Sequence, residues 1–474
     1  MHKNFIAAFL VVSIASMSAS QKTLAPTKPA LEDKWVTIFI HGGGAHPTYL
    51  NISDVFKIID DDLDRPSVYK KTTELLREDP YFFKVHPQTY KGLHKVWPIK
   101  NIKQTQSEQT PPEQTQSGQA WPEQATPEKK HGAHIFAEMF NKINTLAGLP
   151  QTDLYSFGWT GLLSITARRA AAQKFYDALA KLAKRLRKQG YNLRIRIIGY
   201  SHGGNASLHL AEVAQNKKYT PFSIDELILI STPVHANTEP YITSPLFKKI
   251  YLFYSKGDNI QLDFLSSPTH SFASHLFMGK NGVITPKNVT QIQVRFFRTH
   301  LRIKQPDGTI KKMVRNEMVH PNHTEMFFFG WTPEWYRKYF PIRPLSVSLL
   351  IPFFLRDVEQ YNLYGHHLRF TVYPETGQLN VKVKDEKRSF EAPFIKPEKL
   401  IELRKDLQEY SPQKRLPHKE YHEHMVAHRE EAKKYVHTLR KTKLKALRQK
   451  RKQKKEPTCS TCNVALFRQP ISIK

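Results

Sequence analysis

The sequence predicts an α/β protein with a mostly parallel central sheet and helices on both faces. Apolar, β-branched runs recur between long amphipathic stretches, and these runs do not alternate with polar residues, as strands buried on both faces must not. With 474 residues and a hydrophobic fraction of 40%, the chain is large enough to bury a sizeable core.

In chain order, residues 1–20 combine His2 and Lys3, an apolar stretch from Phe5 to Met17 and the small Ser18 and Ser20, the pattern of a cleaved signal peptide. Export to the periplasm or medium, with possible attachment to the cell surface, is therefore expected. Trp35 to Ile40 reads as a buried strand that stops at His41-Gly42-Gly43-Gly44, so a functional turn is expected there. A long insertion follows at about 46–150. Within it, 104–130 repeats acid, Gln, Thr and Pro and is too polar to order itself.

Regular alternation begins at 153–158, a strand, followed by a helix over "TARRAAAQKFYDALAKLAKRLRKQG" that Gly190 closes. Further strands are predicted at 193–198, 226–232 and 249–255. "TQIQVRFFRTHLRIK" and "IKKMVRNEM" read as a long strand pair turning at Asp307-Gly308. The α/β domain is taken as 21–345, with 346–396 as a C-terminal extension carrying an aromatic-rich helix and a small hairpin, and 397–474 as a basic tail, helical or disordered. Whether residues 350–395 belong to the core is open at this level.

The formal net charge is +30, and 441–455 carries nine Lys and Arg without an acid. Such a run attracts an anionic membrane or glycan surface. It lacks the interleaved aromatics of a base-stacking reader, so no specific nucleic-acid partner is expected. The two cysteines, Cys459 and Cys462, are too few for a disulfide framework or a complete zinc site.

The chemistry concentrates in "RIRIIGYSHGGNAS". A serine on a sharp turn from strand to helix has its hydroxyl held clear of the backbone, and the turn demands tiny residues two before and two after, here Gly199 and Gly203 around Ser201. Asp258 stands just beyond a strand, with Asp263 in reserve, and "MVHPNHTEMFFF" offers His323 as base with His320 as runner-up. Backbone N–H groups of Gly42, Gly43 and His202 are placed to hold an oxyanion.

The order Ser201, Asp258, His323, together with "HGGG", "GYSHGGN" and "STPV" at 231–234, resembles the α/β-hydrolase superfamily, in its lipase and esterase branch, over roughly residues 33–340. The resemblance implies Ser201 as nucleophile, His323 as general base and acid, Asp258 as its orienter, and acyl-enzyme chemistry on an ester or lipid, with no metal or cofactor. An acyltransferase or thioesterase using the same residues is the nearest alternative. A non-catalytic hydrolase-fold protein that binds anionic surfaces is the other.

Two further patterns are read as chemically silent. His418 with His422, and His424 with His428, have helical i, i+4 spacing, but Val426 stands where the zinc-protease pattern needs histidine, so they read as solvated positions on a charged helix. Sequons at Asn51, Asn205, Asn288 and Asn322 read as coincidental, because two adjoin the candidate site residues.

Overall fold

The computed structural model describes residues 32–43, 67–79, 91–97, 132–262, 273–278, 286–327, 347–374, 376–400, 402–403 and 418–455. The leader, the polar repeat at 104–130, Gly44, Asn51, Asp263 and the cysteine pair lie outside them.

The strands are β1 (Glu32–Ile40), β2 (Gly92–Trp97), β3 (Asp153–Gly158), β4 (Tyr191–Tyr200), β5 (Ile224–Ile230), β6 (Phe247–Tyr254), β7 (Val289–Lys304), β8 (Ile310–Val319), β9 (His367–Tyr373), β10 (Gln378–Val383) and β11 (Arg388–Pro393). The helices are α1 (Val68–Glu78), α2 (Gly132–Leu146), α3 (Ile165–Lys188), α4 (His202–Gln215), α5 (His323–Phe327), α6 (Val347–Gln360) and α7 (His418–Lys455). All described strands join one sheet in the order β11-β10-β9-β7-β6-β5-β4-β1-β3-β2, with β8 paired to β7. From β3 to β9 the neighbours on this path run parallel, and β2, β8, β10 and β11 are antiparallel additions.

The alternation of side chains sorts the strands' apolar residues onto two cores. Val36, Ile38 and Ile40 of β1, with Ile195, Ile197, Leu227 and Leu229, face α3 and α4 through Phe175, Leu179 and Leu208. Phe39, Ile198, Ile228 and Ile230 face the other way, onto Phe136 and Phe140 of α2 and Leu350 and Phe354 of α6. Burial on both sides is why the central strands are unbroken apolar runs.

Helix α3 starts at Ser164, whose hydroxyl accepts the Ala167 N–H at 3.2 Å, and stops before Gly190, whose φ of +85° suits glycine. Arg185, Arg187 and Lys188 sit at its negative end. The β7–β8 turn forms at Asp307-Gly308 as predicted, with Gly308 at φ +86° and Asp307 accepting the Thr309 N–H at 2.8 Å.

The segment at 46–150 supplies three elements of the domain: α1, edge strand β2, and α2, whose Phe136, Met139, Phe140 and Ile143 are fully buried. Residues 347–395 also enter the core, because β9 pairs directly with β7 and α6 packs beneath the sheet. The small C-terminal hairpin, β9 with β10, is completed by β11, a third strand. Helix α7 is partly docked, with Met425, Ala432 and Val436 buried along one stripe, while its end from Lys441 to Arg451 is exposed.

Phe354 tests how tightly the C-terminal strands are joined to the rest. Its ring lies 5.8 Å from Phe253 of β6, 5.3 Å from Phe370 of β9 and 5.1 Å from Phe394 beyond β11. Phe354→Ala is expected to cost about 3–5 kcal/mol, read as a lower urea midpoint of a single transition that near- and far-UV circular dichroism report together.

Candidate functional site

Strand order reverses about β1, which has β3 on one side and β4 on the other. The carboxyl ends of β1 and β4 thus flank the switch point, the usual ligand position in open parallel sheets. His41 to Gly43 leave β1 there and Ser201 leaves β4.

Ser201 has φ 51° and ψ −129°, a strained conformation for a residue with a side chain, and caps the start of α4. Its N–H donates to the Ile230 carbonyl at 2.8 Å, and its own carbonyl accepts the Gly204 N–H at 2.9 Å. The surrounding glycines are steric necessities. A Cβ on Gly199 would stand 2.7 Å from the Gly204 Cα, and one on Gly203 would collide with the backbone carbonyls of Ile40, at 2.5 Å, and His41. A Cβ on Gly42 would stand 2.9 Å from the Ser201 Cβ, and one on Gly43 3.8 Å from the His202 ring. Thus Gly42, Gly43 and His202, the predicted oxyanion donors, are brought around Ser201, with the positive end of α4 aimed at the same place.

Asp258 and His323 also meet. The His323 Nδ1 lies 3.0 and 2.9 Å from the two Asp258 carboxylate oxygens, with Asp258 fully buried and His323 nearly so. A carboxylate only accepts, so a proton is on Nδ1, which leaves Nε2 as the position for a basic lone pair. Asp258 also accepts the Gln261 N–H at 3.0 Å. His323 opens α5, which is capped reciprocally: the Asn322 side chain accepts the Glu325 N–H at 3.0 Å, and Glu325 accepts the Asn322 N–H at 2.8 Å. Tyr200, the residue before the serine, donates its hydroxyl to the His323 carbonyl at 3.2 Å, with the rings 5.0 Å apart.

His320 packs its backbone against Gly257, where a Cβ would strike its carbonyl, while both Asp258 carboxylate oxygens meet His323. Burial, with Arg295, Lys256 and Arg369 nearby, lowers the His320 pKa. Asp263 lies outside the described residues. The sequon reading is supported at Asn205: the side chain is fully buried, donates to the Pro233 carbonyl at 3.0 Å and accepts from Thr238 at 3.1 Å.

Three supporting residues escaped the sequence reading. The Arg77 guanidinium donates to His41 Nε2 at 2.6 Å while His41 Nδ1 donates to the Gly42 carbonyl at 2.8 Å. The Trp159 indole N–H donates to the His41 carbonyl at 2.8 Å. Arg168, fully buried, donates to His202 Nδ1 at 3.0 Å and to the Leu163 carbonyl at 3.2 Å, and the His202 ring stacks on His235. An arginine only donates, so both histidines beside the glycines must be neutral where they meet it. Burial lowers the Arg77 pKa to about 10. Arg168 left one legible trace: it falls in register with buried Ala171, Ala172 and Phe175 on the apolar stripe of α3.

No family model matches this chain, and no curated protein and no solved structure matches it.

Two outcomes are expected. Arg168→Met removes the buried donor to His202 Nδ1 and costs about 1–3 kcal/mol, measured by urea denaturation. His209 on α4 is buried, which lowers its pKa to about 4, although its Nδ1 meets Glu212 at 2.8 Å. Between about pH 6.5 and pH 4 the unfolded chain binds a proton there that the folded chain does not, so stability falls with falling pH. In His209→Gln, stability measured across that window should fall less steeply.

Proposed function

We propose that the chain is an exported serine hydrolase of the α/β-hydrolase type, a lipase or carboxylesterase that cleaves carboxylic esters through an acyl-enzyme on Ser201. The observation that carries this reading is the buried Asp258 carboxylate holding His323 Nδ1, with His323 packed on Tyr200, the residue before a serine in a strained, glycine-walled turn. The strand order and the position of Ser201 at its reversal support the same reading.

In this scheme His323 Nε2 takes the hydroxyl proton as Ser201 Oγ bonds to the substrate's carbonyl carbon. The carbonyl oxygen becomes an oxyanion, held by backbone N–H groups of His202 and of Gly43 or Gly42. His323 returns the proton to the leaving alcohol as the ester C–O bond breaks. Water then repeats the sequence: it loses a proton to His323, attacks the acyl carbon and releases the acid, and Ser201 regains its proton. Asp258 remains ionised and stabilises the imidazolium formed at each half-reaction. The scheme uses no metal or cofactor. The exposed basic end of α7 would hold the enzyme at an anionic surface, where lipid esters are found.

A fluorophosphonate probe on the purified mature chain should give one adduct, mapped to Ser201 by mass spectrometry and absent in Ser201→Ala. Hydrolysis of a p-nitrophenyl ester series should fall by about a thousandfold or more in Ser201→Ala and in His323→Ala. A folded protein that neither reacts with the probe nor cleaves any ester in the series refutes the proposal.

A further inference from the structure

The sequence spaces His424 and His428 one helical turn apart, a pair that needs a third ligand to hold a metal. The fold brings one from the other end of the chain. Asp79, the residue that caps α1, places Oδ2 2.9 Å from His424 Nδ1 and 2.8 Å from His428 Nε2. These three atoms lie within 4.8 Å of one another. Packing holds them there: Met425, Ala432 and Val436 of α7 are buried on the stripe that includes His428, and α1 buries Tyr69, Thr73 and Leu76. The Asp79 side chain is 8% exposed, whereas His424 and His428 are 39% and 20% exposed, so the cluster has a protein floor and an open side.

We infer that Asp79, His424 and His428 form a binding site for a divalent first-row transition metal of the zinc class, with water completing the coordination. Two imidazoles and a carboxylate are the donor set such ions take, and a helical i, i+4 pair presents both imidazoles on one side. Tetrahedral bonds of the usual length to nitrogen and oxygen set neighbouring donors about 3.3 Å apart. The Asp79–histidine contacts, 2.9 and 2.8 Å, are a few tenths of an ångström shorter than that spacing. Glu431 Oε2 stands 3.9 Å from His428 Nδ1, on the side away from the cluster, where a ligating histidine commonly has an outer carboxylate.

The site joins two distant parts of the chain. Asp79 is two residues beyond Arg77, which supports His41 at the glycine loop, so an ion there ties the basic helix to the element that props the candidate site. The inference does not depend on the proposed esterase activity.

The test uses the full mature chain, stripped by chelator and dialysed, then titrated with Zn²⁺ by calorimetry and with Co²⁺ by visible absorption. One equivalent of each ion should bind, and Zn²⁺ should raise the melting temperature. Affinity should fall by at least about tenfold in His424→Ala and in His428→Ala, with the Zn²⁺-dependent rise in melting temperature lost in the double variant. His418→Ala with His422→Ala, and Cys459→Ser with Cys462→Ser, should bind as the parent does. Asp79→Asn is a further check, but because an amide oxygen can still ligate, the two histidine variants decide. Absence of saturable binding overturns the inference and leaves a hydrogen-bonded clamp. Binding that survives the double histidine variant, or that vanishes with the cysteine pair, overturns it as well.

Discussion

The contact between the end of β1 and the start of α4 constrains the rest of the site. The backbone at Ile40 and His41 lies so close to Gly203 that a single methyl group would not fit, and a Cβ on Gly42 would stand 2.9 Å from the Ser201 Cβ. Two strands of a parallel sheet normally keep their following loops apart through side chains. Here the glycines remove those side chains, and the gap closes to backbone contact. Ser201 is held at positive φ by hydrogen bonds to β5 and into the first turn of α4, so the strain is carried by groups that are themselves buried and bonded.

That approach explains the arginines. A glycine loop has no side chains with which to fix its own position, and His41, which opens it, must be oriented from outside. Arg77 reaches it from α1 and Trp159 from the end of β3, while Arg168 does the same for His202 from α3. Each arginine is a donor that cannot reverse its role, so each arginine selects one imidazole tautomer. Burying two guanidiniums is costly in itself, and the hydrogen bonds to histidine and to backbone carbonyl offset part of that cost.

The second half of the site is built by different means. His323 owes its position to a capped five-residue helix, to Tyr200 beneath it and to Asp258 at the end of β6. Asp258 in turn is fixed by the turn at Gly257, which admits the His320 backbone only because it lacks a side chain. The two halves meet through consecutive residues, Tyr200 and Ser201, so the strand that delivers the serine also seats the histidine.

Much of this was legible in the sequence because it rests on short-range rules. The strand at 153–158 was read at its full extent, β1 and β4 to within a few residues, and the β7–β8 turn at Asp307-Gly308, since apolar runs and turn residues act locally. Glycine spacing around Ser201 and the candidates Asp258 and His323 were visible for the same reason. What the sequence alone left open was settled by contacts between distant segments. Residues 347–395 joined the core because β9 adds to β7, a pairing no periodicity encodes, and short β11 carries only Ala392 as a fully buried side chain. The meeting of Asp258 with His323 rather than His320 depended on how the chain turns at Gly257. Asp79 came to His424 and His428 only because α7 docks on α1, and Arg77 came to His41 only because α1 packs beside the glycine loop. The sequence determined the local conformations and the residue types available for chemistry. Tertiary structure decided which of those residues meet, because that choice depends on packing across hundreds of residues of chain.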